Sequence, residues 1–199
     1  MTQDRMTTPY PPFRIALHWL SAAVVLWATI TGFLVASQPA GGAFRRSIDL
    51  INPQVTTLFI PFFAWRLALF LRSRPWRGWT QLALGKRAAL IGHGLLYFAV
   101  TMVLLTGFLM MPAPWHLLGL LPMPSPLQNT GWLAPMHAVH RLCCMVLALL
   151  VLGHLAAVAA HHGAGDPVLR RMRPLGACPR GGERGVSPGQ MRPFDRASL

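Results

Sequence analysis

From Met136 to His162 the chain runs almost without interruption through apolar residues, far enough for a helix to cross a bilayer. A hydrocarbon core about 30 Å thick takes roughly 20 such residues. Lipid offers no partner for a backbone N–H or C=O, so a run of this length must satisfy its own hydrogen bonds as a helix. Three similar runs precede it, at about 15–36, 52–71 and 88–111, with the fourth best framed as 136–161. Only 12% of the 199 residues are charged, about half the share in a soluble domain. These features predict an all-α membrane protein, a four-transmembrane-helix bundle over 14–162. The proline-rich lead (1–13) and the Arg-, Gly- and Pro-rich tail (163–199) are expected to be disordered and flexible. No cleavable signal peptide is expected, because the polar start leads straight into a full-length span.

The cations set the expected orientation. With both termini cytoplasmic, fifteen of the eighteen Lys and Arg residues fall on the inner side. Only Arg45, Arg46 and Arg141 fall outside, a strong positive-inside bias. The reading is therefore a multi-pass membrane protein, with lipid as its surroundings. The net charge of +13 does not point to nucleic acid, since the arginines cluster at the ends of apolar runs and no aromatics interleave with them. Three cysteines, Cys143, Cys144 and Cys178, make no disulfide framework. Pro53 suits the first turn of the second span, and Pro61 should kink its middle. Between the last two spans, Trp115 to Leu121 is too short to cross and is expected to lie along the interface.

Histidines carry the chemistry. His140 and His154 are fourteen residues apart, so they share a helix face to within about 40° and stand roughly 21 Å apart along the axis. Intramembrane imidazoles are costly without partners, and neutral imidazoles inside a bundle suit the iron of a porphyrin. His18, on the first span, matches His154 in depth at the inner level, so the two can ligate one haem from different helices. The plainer role for any one of them is a hydrogen bond between helices. Zinc lacks a Cys or carboxylate at that depth. Arg14, one turn before His18, reads either as a partner for a haem propionate or as an interface anchor. His93 and Tyr97, four apart, could hold a quinone carbonyl or simply pack. His140, at the outer level, has no histidine opposite it on the first three spans. His137 is on its own helix, which leaves His116 and Met123 in the outer connection, with His116 equally readable as a surface residue.

Four stretches resemble the bacterial cytochrome b561 family, which is related to the b-haem subunits of nickel-iron hydrogenases. They are Arg14-Ile-Ala-Leu-His-Trp19, Trp65-Arg-Leu-Ala-Leu-Phe-Leu-Arg72, Gly92-His-Gly-Leu-Leu-Tyr97 with Leu105 to Met111, and His140 to His162, followed by a family-like tail to Pro174. The resemblance implies a four-helix bundle of the bacterial inner membrane with two b haems. The inner one would sit on His18 and His154, the outer on His140 and a histidine opening the second span. Members exchange electrons with quinones, and one branch oxidises superoxide at the outer face while reducing ubiquinone. This chain departs at the second span, where the expected ligand position falls on Asn52. One haem b is therefore expected at the inner site, and two if His140 finds a substitute partner. The expected function is electron transfer to or from the quinone pool. The alternatives are a superoxide:ubiquinone oxidoreductase, served by Arg45, Arg46 and Arg141, and a haem-bearing anchor subunit of a hydrogenase or dehydrogenase complex. In the latter the tail would dock a redox partner protein.

Overall fold

A computed structural model describes residues 11–39, 41–73, 79–111, 114–127 and 130–163. Most of the expected N-terminal lead and the expected C-terminal tail, with Cys178, lie outside the described residues. Four long helices make the fold: α1 (Pro12–Ala36), α2 (Ala43–Ser73), α3 (Leu84–Leu109) and α4 (Thr130–Gly163). A 3-10 turn (Trp79–Gln81) precedes α3, and two short strands, β1 (Trp115–Leu117) and β2 (Leu121–Met123), stand between α3 and α4. All four helices are long and apolar enough to cross a membrane. Their outward faces carry large apolar side chains, Leu149 at 70% exposure and Phe98 at 64% among them. Water would penalise so much contiguous apolar surface, whereas lipid tails match it.

Side-chain pairs set the packing direction. His93 meets His154 while Thr106 meets His140, so α3 and α4 run antiparallel. On the other side of the bundle His18 meets Arg66 and Phe13 meets Trp65, joining α1 to α2. Tyr97 of α3, against Phe63 and Phe70 of α2, links the two halves. Contact is closest within the α1–α2 and α3–α4 pairs. At mid-height Phe59, Phe63, Ala99, Val100 and Leu147 form the buried core, with Val24 and Val25 of α1 packed against it. Hydroxyls in the helices donate back to their own carbonyls, Ser21 to Leu17 and Thr101 to Tyr97, which satisfies them without a partner helix.

Three local readings change. α2 begins at Ala43, ahead of the expected span, and its polar first turns carry the Arg45–Asp49 ion pair at 3.7 Å. Pro53 therefore lies inside the helix rather than in its first turn, and the helix continues through Pro61 as well. A proline ring leaves the preceding turn's carbonyl without its N–H, yet the helix runs on past both, with buried Phe59 following Pro53 and buried Phe63 following Pro61. Third, the segment expected along the interface is an antiparallel hairpin that pairs Trp115 with Met123. Its turn places Leu118 and Gly119 at positive φ (54° and 71°). Gln54 of α2 clamps it: Nε2 donates to the His116 carbonyl at 3.0 Å and Oε1 accepts from the Leu118 N–H at 2.7 Å.

Candidate functional site

The chemistry-bearing side chains gather at two levels of the bundle. At the level shared by the start of α1 and the end of α4 lie His18 (α1), Arg66 (α2), His93 (α3) and His154 (α4), near enough to one another to interact electrostatically. Arg66 Nη2 donates to His18 Nδ1 at 2.9 Å. A guanidinium can only donate, so neutral His18 in this arrangement carries its proton on Nε2. The same guanidinium lies over the Tyr97 ring, 5.3 Å from its centroid, a cation–π contact that helps keep a charge at this depth. His93 Nδ1 donates to the Ala89 carbonyl at 2.7 Å, which leaves its Nε2 as an acceptor. The His93 and His154 rings pack edge to face, 5.3 Å between centroids. That arrangement sets them side by side, not opposed across a macrocycle, so His93 and His154 flank the same space and His18 approaches from another helix.

His93 and Tyr97 share a face in sequence but take different partners: Tyr97 stacks on Phe70 at 4.4 Å, whereas His93 turns to His154. Arg14 sits half-buried in the first turn of α1, one turn before His18. Arg66 is the member of this cluster that sequence reasoning missed, having counted it only as an inner-side charge. The signal was there: an arginine within an apolar span, six residues before the span-ending Arg72, is an intramembrane cation and a functional pointer.

The second level is a cavity of about 690 Å³ lined by all four helices, well inside the ~300–1,000 Å³ range of ligand pockets. His140 and Asn52 both line it. The Thr106 hydroxyl donates to the Met102 carbonyl at 2.6 Å and meets His140 Nδ1 at 2.9 Å. With its one proton spent on Met102, that hydroxyl can only accept from the ring. The Val103 carbonyl also pairs with the imidazole, again as an acceptor. His140 therefore carries its proton on Nδ1, and Nε2 is a lone pair that accepts only a weak hydrogen bond, from the Cys144 thiol at 3.4 Å. Gly107 makes this approach possible, since a Cβ there would stand 3.2 Å from His140 Cε1. Asn52 Oδ1 is buried with no hydrogen-bond partner. His116 is exposed on the hairpin and is not among the cavity-lining residues, nor is Met123. Among the described residues no three His, Cys, Asp or Glu side chains converge as a metal-ion site; an axial pair on a porphyrin asks for two.

A family model described as prokaryotic cytochrome b561 matches residues 9–174, which takes in all four helices. No curated protein matches the chain. The chain belongs to the prokaryotic cytochrome b561 family. It is a multi-pass bacterial membrane protein, a b-type cytochrome of electron transfer.

Proposed function

We propose that this cytochrome works in the inner membrane with both termini cytoplasmic, and passes electrons to or from the quinone pool through a haem held by His18 and His154. The observation that carries the reading is the inner cluster: imidazoles from α1, α3 and α4 meet at one depth, with a guanidinium among them. The donor set fits a b haem. His18 and His154 come from α1 and α4, two helices that scarcely touch each other, so the two rings can approach a flat group from different helices. A bound haem would supply the one-electron couple, and the protein supplies its ligands, its dry surroundings and its charge balance.

Each side chain has a task that follows from its bonding. His18 can offer an iron its Nε2 only after shifting its proton to Nδ1, and Arg66 in its present place opposes that shift. Release of Arg66 frees a guanidinium suited to bidentate pairing with a carboxylate, so Arg66 joins Arg14 as a partner for a propionate. His93, already carrying its proton on Nδ1, either supports the His154 ring or gives a quinone a polar contact. A second reading, oxidation of superoxide at the outer face, is favoured by Arg141, which lines the outer cavity and offers an anion a positive wall.

The test is haem per chain and the low-spin spectrum of protein purified in mild detergent. His18→Ala and His154→Ala should each remove the low-spin signal of the inner haem. A wild-type spectrum in either variant defeats the pairing, and loss in His93→Ala with retention in His154→Ala would move the ligand to α3. Superoxide-dependent reduction of a short-chain ubiquinone that is lost in Arg141→Ala would favour the second reading.

A further inference from the structure

The outer cavity is unequally furnished. The α3–α4 wall holds the His140 ring, with its tautomer set by Thr106 and the Val103 carbonyl. The facing α1–α2 wall contributes only apolar side chains, glycine, proline, three threonines and Asn52. It has no imidazole, thioether, thiol or amine. The methionines of the lining, Met110, Met111 and Met145, lie at the end of α3 and on α4. Met145 shares a helix with His140, and Met110 and Met111 follow directly on the turn of α3 that touches its ring. They are therefore poorly placed to approach a metal from the side opposite His140.

Two features say what this cavity accepts. His140 presents a lone pair rather than an N–H, which suits a Lewis acid and repels a quinone carbonyl. Asn52 carries a buried amide whose oxygen has no partner, so nothing in the fold pins the group, and its Nδ2 end can donate to a ligand that only accepts. An amide is a weak ligand for iron but a competent hydrogen-bonding neighbour for something bound to iron. The volume of about 690 Å³ and the largely apolar walls suit a porphyrin.

We propose that the outer cavity holds a haem through one protein ligand, His140, and that Asn52 serves a vacant sixth position, making this a site for small diatomic ligands. The proposal rests on the family reading that the chain binds b-type haem, and extends it from electron transfer to ligand binding. Asn52 is here a positioning residue: the N–H of its amide Nδ2 donates to the diatomic molecule, which can only accept, and the side chain does not touch the iron.

Carbon monoxide is the probe. Holoprotein purified in mild detergent is reduced with dithionite, and haem and CO equivalents per chain are counted from difference spectra. Wild type should bind one CO per chain, and His140→Ala should lose that CO-reactive haem while keeping the inner low-spin signal. Asn52→His should close the site, replacing the CO-reactive haem with a second low-spin, CO-inert one. Asn52→Leu should keep haem and CO but raise the C–O stretching frequency and speed CO release, which a merely structural role would not do. A wild type with no CO binding, whether it holds one haem or two, overturns the proposal and leaves the inner site untouched. So does a CO-reactive haem that survives His140→Ala or disappears in His18→Ala. If His140→Ala does not fold, the Asn52→His and Asn52→Leu spectra decide. Absence of any haem from the wild type would instead sink the family-based reading.

Discussion

Thr106 offers the sharpest probe of the outer site, because its hydroxyl is the part of α3 that sets the His140 tautomer. Thr106→Val keeps the shape and β-branching of the side chain and removes only the hydroxyl. Two effects follow from the geometry. The Met102 carbonyl loses an extra donor at 2.6 Å, a small matter because that bond supplements the helix's own ladder. His140 Nδ1–H loses its acceptor at 2.9 Å in a position half-buried between helices. An unsatisfied buried donor costs about 1–3 kcal/mol. Loss of an outer-shell partner of a ligating histidine typically costs ~10–100-fold in metal affinity, which at 1.4 kcal/mol per tenfold is about 1.4–2.8 kcal/mol. The two routes agree. The Val103 carbonyl can take part of the load, so the lower end, roughly tenfold, is expected. The assay is transfer of outer haem from the purified protein to apomyoglobin, followed by the CO-reactive absorbance. Thr106→Val should release it about tenfold faster, while Thr106→Ser, which restores the hydroxyl, should return it to the wild-type rate. A wild-type rate in Thr106→Val, with the CO spectrum also unchanged, would refute the claim that this hydroxyl orients the ring.

Gly107→Ala should leave thermal stability level or raised, since alanine favours the helix by up to ~1 kcal/mol. It should nevertheless weaken the His140-dependent haem, because a Cβ 3.2 Å from Cε1 pushes the ring; a melting curve and a haem count together check it. Arg66→Gln should lower the midpoint potential of the inner haem, because a positive charge nearby favours the ferrous state. The shift should be on the order of 60 mV, the one-electron equivalent of about 1.4 kcal/mol, read by potentiometric titration. Reporter tags at both termini should give cytoplasmic signals and a tag near Ser125 an outer one, whereas an outer C-terminus would invert every depth proposed here.

The spans were legible because lipid leaves a chain so few options. Uncharged runs of the right length must be helices, and their order with short connections makes antiparallel neighbours. Pattern at that scale carries no register. Nothing in the sequence says that Thr106 falls opposite His140, or that Tyr97 turns to Phe70 instead of His93, because those pairings depend on how far one helix slides along another. The position of Asn52 was readable by counting back from Trp65-Arg66. That it lines the same cavity as His140, from the facing wall, was not. The hairpin was missed because Leu118 adopts positive φ without being glycine, and only Gly119 hinted at a turn. Its anchor, Gln54, is donated by a distant helix.

The layer between the two levels bears on what can cross the bundle. Phe59 and Phe63 stand between Asn52 and Arg66 on α2, Ala99 and Val100 between His93 and Thr106 on α3, and Leu147 midway between His140 and His154 on α4. These five residues form the buried core, and none of them titrates. Nearby hydroxyls are tied to their own helices, as Thr101 is to the Tyr97 carbonyl. A proton moving between levels would need a chain of exchangeable groups, and the five core side chains supply none. An electron needs only a modest separation between redox groups. Centres at the two levels, anchored roughly 21 Å apart along α4, would therefore pass electrons through a layer that holds protons back. Proton uptake and release would then stay on the side where each centre meets its substrate. A polar substitution in this layer, Leu147→Asp, should let protons follow the electrons. Reduction of the outer centre should then gain a dependence on inner pH, read in proteoliposomes with a pH step across the membrane. The same independence of inner pH in Leu147→Asp as in wild type would mean that the barrier lies elsewhere.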